Sequence, residues 1–345
     1  FLSAIQASPN GVVLLDSSGR IEWSNLTAAN HLGFDPQRDL GQYVRNMVRN
    51  PAFTAYLSAG DFGHEIQIDG VGPRPSQPTR ISLQIHPYGK KRKLMLTRDV
   101  TAVQLAETMR RDFVANVSHE IRTPLTVLSG FVETMQSLSL EESERITYLG
   151  LMSQQAHRMQ TLVSDLLTLS RLEGSPPPGI SEWTPVQALL HRCEEEARAL
   201  SSLLTPNQAR PHVLGFPALE QLRAMGDIAG VPAELQSALS NIINNAIRYT
   251  PVGGSITVTW ERSSDGSAVF SVRDTGPGIA AEHIPRLTER FYRVDRSRSR
   301  ETGGTGLGLA IVKHVLQRHG ASLNIASEVG KGSTFSVSFP ANRLR

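Results

Sequence analysis

The stretch from Phe113 to Thr126, FVANVSHEIRTPLT, decides the architecture of this chain. It places a histidine, His119, beside a carboxylate, Glu120, inside a long amphipathic helical pattern. At about 100° per residue, His119 falls opposite the apolar side of that pattern, so we expect its imidazole to face solvent. The apolar residues recur at steps of three and four, the spacing of a helix–helix seam: Val114, Val117, Ile121, Leu128, Phe131, Met135 and Leu138, with Pro124 in the one gap.

A second long helix is predicted after this one, because residues 102–172 carry almost no strand signal. Ser139 and Glu142 between the helices fit a capping box. Two helices with narrow seams cannot bury them as a lone hairpin, whereas a four-helix bundle made from two chains can. We therefore expect a homodimer. The second seam consists of Leu149, Met152, Ala156, Met159, Val163 and Leu166.

Composition limits the classes to which the chain can belong. Its 345 residues suggest two or three domains, and a net charge of only +3 gives no sign of direct nucleic-acid binding. The single cysteine, Cys193, rules out an internal disulfide or a cysteine-based metal site. No apolar run approaches the roughly 18 residues that a membrane span needs. One locally basic stretch, Glu289 to Glu301, holds five arginines against three acids.

Residues 1–101 predict a small α/β domain. Two short strands, Gly11–Asp16 and Arg20–Asn25, are joined by the turn Ser17–Gly19, helical pieces follow up to Ala59, and three more strands complete the pattern. This order resembles a PAS sensor domain. The segment Arg98–Thr101 resembles the short motif through which such domains pass into a signalling helix.

A proline-rich linker, Gly174–Gly179, separates the helices of residues 102–173 from residues 180–345. The last region predicts an α/β sandwich, with helices segregated from an otherwise antiparallel set of strands, so that the whole chain is a multidomain α+β protein. Its predicted helices are Val186–Leu204, Ala233–Arg248 and Leu309–Arg318, and its predicted strands are ITVTW, AVFSV, SLNIAS and STFSVSF.

Three segments of residues 180–345 contain polar or glycine-rich motifs that could bind a ligand. Asn241, Asn245 and Arg248 share one flank of a helix, where amide oxygens can bind Mg²⁺ and a cation can meet phosphate; the alternative is a solvated polar flank. DTGPGI follows a strand, and Asp274 could accept from an exocyclic amine; the alternative is a plain turn. The glycine loop from Gly303 to Gly308 precedes a helix and can cradle phosphate, but it is neither a Walker A loop nor a Rossmann fingerprint.

The order of the motifs is more specific than any one of them. The segments VSHEIRTPLT, NIINNAIRYT, DTGPGI, RFYRVD, GGTGLGLAIVKH and GKGSTF resemble the H, N, G1, F, G2 and G3 boxes of the sensor histidine kinases of two-component systems. The resemblance implies an ATP-binding domain of the GHKL type. RLTERFYRVDRSRSRETGGTGLGLAIVKH and RNMVRNPAFTAYL are most similar to the branch that governs the phosphate regulon, which implies phosphate-starvation signalling.

The resemblance also implies roles for individual residues. His119 would take the γ-phosphoryl group of ATP, Glu120 would act as general base and orienting group, and Thr123 would position water to dephosphorylate the partner regulator. Asn245 would be the ligand of Mg²⁺. The implied ATP-binding residues are Asn241, Asn245, Arg248, Tyr249, Asp274, Gly276, Gly278, Arg290, Phe291, Arg293, Gly304, Gly306, Leu307 and Gly308.

The implied partners are a second copy of the chain and the receiver domain of a cognate response regulator, which would accept the phosphoryl group on an aspartate. Family members usually carry membrane helices before the PAS domain, so we expect this chain to be the cytoplasmic portion of an inner-membrane protein. Two alternatives stay open: a GHKL-type ATPase that is not a kinase, and a dimeric scaffold without activity. Three features stay open as well: the signal sensed by the PAS domain, the resting balance of kinase and phosphatase, and phosphorylation within or between chains.

Overall fold

The computed structural model describes residues 2–71, 79–89, 91–205, 211–223, 225–295 and 304–345. The chain divides into two compact units, Phe1–Ala115 and Asn116–Arg345. The boundary lies inside one long helix, because α5 (Thr101–Ser137) begins in the first unit and ends in the second. None of the described helices has an apolar stretch long enough to cross a membrane.

The first unit is built on a five-stranded antiparallel sheet of order β2-β1-β5-β4-β3. Alternate residues of β4 fill the core, and Ile81, Leu83 and Ile85 are each at most 1% exposed, as their spacing predicts. The expected small α/β domain is confirmed, and its likeness to a PAS domain stays a prediction. The strands are β1 (Gly11–Leu15), β2 (Ile21–Ser24), β3 (Ile66–Gly70), β4 (Thr79–Tyr88) and β5 (Arg92–Asp99).

Short helices cover one face of this sheet between β2 and β3. Asn25 and Asn50 cap two of them by accepting hydrogen bonds from backbone N–H groups of the first turn. Phe53 and Tyr56 bury their rings in the core. The helices are α1 (Leu2–Gln6), which precedes β1, then α2 (Leu26–Leu32), α3 (Val44–Met47) and α4 (Pro51–Ala59).

The two long helices predicted from the heptad spacing are present as α5 and α6 (Glu142–Gly174). The predicted capping box is wrong in its residues: the side chain of Glu141 caps the helix, and Glu144 binds the backbone N–H of Glu141 at 3.1 Å. Because the loop continues past Ser139, that side chain lies two residues too early to cap α6. The predicted seams are half-buried or exposed within one chain, with Leu138 58% and Leu149 50% exposed.

The remainder of the second unit contains the predicted helices and strands, with boundaries that shift by one or two residues. Sequence reasoning missed α8 (Leu219–Arg223) and the three-residue strands β6 (Trp183–Pro185), β7 (Val213–Gly215) and β8 (Asp227–Ala229). The predicted elements are α7 (Val186–Leu204), α9 (Pro232–Tyr249), α10 (Gly308–Arg318), β9 (Ser255–Arg262), β10 (Ala268–Asp274), β11 (Ser322–Glu328) and β12 (Gly332–Phe339).

The main sheet of this unit has the order β11-β12-β10-β9-β7. Its neighbours are antiparallel except for β7 and β9, which run parallel, so the expectation of a purely antiparallel set is corrected. Phe270, Val337 and Phe339 on the sheet and Leu239 and Val312 on the helices are at most 1% exposed. One sheet face therefore packs on α9 and α10, while α7 packs against α9, and the α/β sandwich is confirmed.

Candidate active site

His119 lies on α5 with its side chain exposed, as the helical spacing predicts. The hydroxyl of Thr123, one turn later, donates to the carbonyl of His119 at 3.1 Å. Pro124 has no N–H to donate to the carbonyl of Glu120, the usual partner four residues earlier. The carbonyl of His119 therefore has an additional hydroxyl donor, and the carbonyl of Glu120 lacks its helical N–H donor.

The carboxylate of Glu120 is held by two arginines. Its Oε2 atom accepts from Nη2 of Arg293 at 3.1 Å and from Nη2 of Arg158 at 3.3 Å. The Arg293 side chain is only 6% exposed, and its Nε has no hydrogen-bond partner among the described residues. Arg293 follows β10 and Arg158 belongs to α6, so three separate segments meet at this carboxylate.

The glycine loop before α10 packs backbone to backbone against the segment that contains Phe291. Phe291 N–H donates to the carbonyl of Gly306 at 2.9 Å, and a Cβ on Gly306 would lie 3.0 Å from the Phe291 Cα. Gly306 has φ +73°, and Phe291 has φ +62°, a conformation uncommon for a bulky residue. Leu307 is fully buried, and Gly304 lies directly before Thr305 in the described part of the loop.

The polar flank of α9 faces this loop. A Cβ on Gly308 would lie 2.7 Å from Oδ1 of Asn241, whose amide donates to the carbonyl of Ser237 at 2.8 Å. Asn245 and Arg248 are half-buried further along the same flank. Burial lowers the pKa of Arg248, and the charges of Tyr249 and Asp165 partly offset this effect. The structure thus brings the predicted asparagine flank and glycine loop together.

Asp274 stands at the end of β10 with 6% exposure. Its Oδ1 accepts from the backbone N–H of Gly276 at 2.8 Å and of Ser333 at 3.2 Å. Burial raises the pKa of this carboxyl, and the two N–H donors oppose the rise. A Cβ on Gly276 would lie 3.1 Å from the carbonyl oxygen of Tyr249, so Tyr249 and the DTGPGI turn are neighbours. Gly278 has φ +72°, where a side chain would overlap the carbonyl oxygen of Glu328.

The structure describes only part of the locally basic stretch from Glu289 to Glu301. Arg290 pairs with Glu173 near the end of α6, and His314 approaches the same carboxylate at 3.4 Å. Arg293 pairs with Glu120 as described above. The remaining arginines, up to Arg300, lie outside the described residues.

Sequence reasoning missed Asp165, which contacts the glycine loop from α6. Its Oδ2 accepts from the hydroxyl of Thr305 at 2.7 Å. Burial raises the pKa of Asp165, while the Thr305 hydrogen bond and the charge of Arg248 lower it in part. A signal was present in the sequence: Leu162, Leu169 and Leu172 share one helical face with Asp165 and are at most 5% exposed.

Comparisons with known proteins agree with the motif order. Residues 109–175 match the His Kinase A (phospho-acceptor) domain, and residues 230–343 match the histidine kinase-, DNA gyrase B- and HSP90-like ATPase family. The latter family implies that the chain binds ATP, and the former supplies a dimerisation domain.

Two relatives cover nearly the whole chain. The phosphate regulon sensor protein PhoR of Pseudomonas aeruginosa is 46% identical over 96% of this chain and 72% of its own length. PhoR of Haemophilus influenzae is 30% identical over 97% of this chain and 75% of its own length. A solved structure of histidine kinase ThkA, in complex with response regulator protein TrrA, aligns with a TM-score of 0.49 at 19% identity, over 96% of this chain and 95% of that chain.

The extent and identity of the PhoR matches, together with the two family domains, determine the class of protein. A histidine kinase phosphorylates itself from ATP and passes the phosphoryl group on. The chain belongs to the sensor histidine kinase family, in the branch that contains the PhoR sensors.

Proposed function

We propose that His119 is the phosphoacceptor of this kinase and that Glu120 is its general base. The observation that carries the proposal is the contact of Arg293, from the ATPase-like portion, with Glu120 at 3.1 Å beside an exposed imidazole. Both residues belong to the second unit, and their contact supports a site shared by the ATPase-like portion and the histidine helix.

The chemistry follows from the properties of imidazole. A neutral ring has one nitrogen with a lone pair that can attack the γ-phosphorus, while the other nitrogen carries a proton and needs an acceptor. A new N–P bond forms as the bond from phosphorus to the bridging oxygen breaks, and ADP leaves. Glu120 would accept the ring proton, and Arg293 and Arg158 would keep its carboxylate in place.

We propose that ATP lies between the α9 flank and the glycine loop. Asp274 would accept from the adenine amine, since two backbone N–H groups already fix its carboxyl orientation. Tyr249 would pack on or near the base. Backbone N–H groups of Gly304, Gly306 and Gly308 would face the phosphates at the start of α10, where the helix dipole favours negative charge. A Cβ on Gly308 would push against the Asn241 side chain, so glycine at the loop end lets Asn241 keep its place in the proposed site.

The residues of this site fit Mg²⁺ that is bound together with a nucleotide. No cluster of three histidine, cysteine, aspartate or glutamate side chains that could hold a metal occurs among the described residues. Neutral amide oxygens such as that of Asn245 suit a hard cation that keeps several waters and relies on phosphate oxygens. When bound, the ion would neutralise charge that develops on the phosphates.

The phosphoryl group would then pass to an aspartate in the receiver domain of a response regulator. Thr123 would position water for removing that group from the regulator, because its hydroxyl donates to the His119 carbonyl and keeps lone pairs for a water. The PhoR relatives support signalling of phosphate starvation as the pathway of this chain. The division into domains at residues 1–101, 102–173 and 180–345 stays a prediction.

The half-exposed seams of α5 and α6 support a homodimer. In the α6 seam, Leu149 is 50% and Val163 46% exposed, whereas large apolar side chains that pack within one chain are usually buried. A second copy would cover both seams by completing a four-helix bundle.

Incubation of the chain with γ-labelled ATP tests the assignment. His119→Gln should abolish acid-labile label, whereas His157→Gln, a change of an exposed histidine on α6, should leave labelling unchanged. Label retained on His119→Gln would overturn the assignment. Release of free phosphate without labelled protein would favour the ATPase alternative, and neither product would favour the inactive scaffold.

A further inference from the structure

Helix α6 carries a second heptad stripe besides its dimer seam, and one member is an acid. The spacing of four, three, four and three places these residues on one face of the helix. Its three leucines are 1–5% exposed, so a carboxylate in line with them would be poorly solvated without a partner. The stripe, which we call the docking stripe, consists of Arg158, Leu162, Asp165, Leu169 and Leu172.

The partner of this acid is the glycine loop. Asp165 accepts the hydroxyl hydrogen of Thr305 at 2.7 Å, and Thr305 is itself 8% exposed. The same hydroxyl oxygen accepts from the backbone N–H of Leu307 at 3.3 Å. Arg248 on α9 adds a favourable charge interaction with Asp165. A carboxylate from the hairpin therefore lies beside a hydroxyl, a guanidinium and the N-terminal end of α10.

A phosphate oxygen would favour the same surroundings as the Asp165 carboxylate. Carboxylate and phosphate oxygens are both anionic acceptors, and both favour hydroxyl, guanidinium and helix N-terminal partners. The Thr305 hydroxyl has only one hydrogen, so while it donates to Asp165 it cannot donate to a nucleotide. Two anions near Arg248 would also repel each other.

We propose that Asp165 occupies a phosphate-oxygen position of the nucleotide site, so that docking of α6 on the glycine loop and binding of the ATP phosphates compete. This inference rests on the proposed ATP site and adds its regulation. Competition is reciprocal: ATP would loosen the contact between the docking stripe and the loop, and that contact would weaken ATP binding by the same factor.

Asp165→Asn tests the proposal, because the amide keeps the size of the side chain and removes its charge. We expect ATP to bind about tenfold more tightly by isothermal titration calorimetry, the factor that corresponds to replacing a charge-assisted hydrogen bond by a neutral one. Binding of adenosine, which has no phosphate, should be unchanged. Glu133→Gln removes one negative charge from an exposed position on α5 and should not alter either affinity.

Unchanged or weaker ATP binding by Asp165→Asn would overturn the proposal, and so would an equal gain for ATP and adenosine. Asp165→Ala, a favourable residue within a helix, repeats the test if the amide variant does not fold. Failure of the proposed function looks different: the unaltered chain would then bind no ATP.

Discussion

Replacing Arg318 by methionine should measure how strongly α10 is tied to α9 and α6. Arg318 forms a two-pronged ion pair with Glu234, with both donor–acceptor distances at 3.0 Å. Its Nη1 also donates to the carbonyl of Leu172 at 3.1 Å and of Ser175 at 2.6 Å. The side chains of Arg318 and Glu234 are 10% and 19% exposed, so water screens the pair only weakly.

Methionine keeps the length of the side chain and leaves Glu234 without its counter-ion. Breaking a buried pair in this way costs about 3–5 kcal/mol, and we expect about 3 kcal/mol because Glu234 keeps some contact with solvent. The carbonyls of Leu172 and Ser175 can bind water instead, so they add little. For a unit of this size the loss corresponds to a fall of about 6–12 °C in Tm.

Differential scanning calorimetry of the chain and its variants checks the value. The matched control is Arg198→Met, which breaks an exposed pair with Glu194 on α7 and should cost less than about 1 kcal/mol. Arg318→Met combined with Glu234→Gln should recover at least about 1 kcal/mol, because no unpaired carboxylate remains. A loss below about 1 kcal/mol in the single variant would refute the reasoning.

Three further predictions concern other buried positions of the second unit. Burial above all lowers the pKa of His319 in the folded chain, so as the pH falls below about 6.5 the unfolded chain takes up the proton first and stability is lost. His319→Gln should therefore reduce the loss of stability between pH 7 and 5 in urea titrations, and an equal loss in both proteins would contradict the prediction. Burial raises the pKa of Cys193 to about 11, so its thiol should resist iodoacetamide at pH 8 until urea is added, and rapid native labelling would show otherwise. Gly278→Ala, at φ +72°, should lower the free energy of unfolding by about 2 kcal/mol or more. Gly308→Ala, whose Cβ meets only the Asn241 side chain, should keep Tm and weaken ATP binding in calorimetry. Equal losses of stability in the two variants would contradict the distinction.

Long periodic segments were predictable from the sequence. The heptad spacing in α5 and α6 correctly predicted both helices and the exposure of His119, because regularly spaced apolar residues indicate which face a helix buries. The strands β9, β10 and β12 alternate between buried and more open residues, and β11 alternates between exposed and half-buried ones, so their positions also followed from the pattern alone. The glycine loop and the α9 flank were predicted as neighbours in function and are neighbours in space.

Features that depend on tertiary contacts were not predictable in the same way. The strand β7 has three residues and forms by pairing in parallel with β9. No local sequence pattern predicts such a short strand. Arg158 and Asp165 gain their partners from other segments, namely Glu120 and Thr305. Asp165 could have been singled out nonetheless, because an acid in line with leucines at heptad spacing needs a partner.

Helix α6 has two contact stripes, the dimer seam and the docking stripe, which face two different surfaces. The dimer seam includes Val163 and the docking stripe includes Leu162, so the two lie about 100° apart around the helix axis. Turning α6 about its axis moves both stripes at once, towards one surface and away from the other. Packed helices exchange between discrete arrangements and do not slide continuously, so a small rotation of α6 would replace one set of contacts by another.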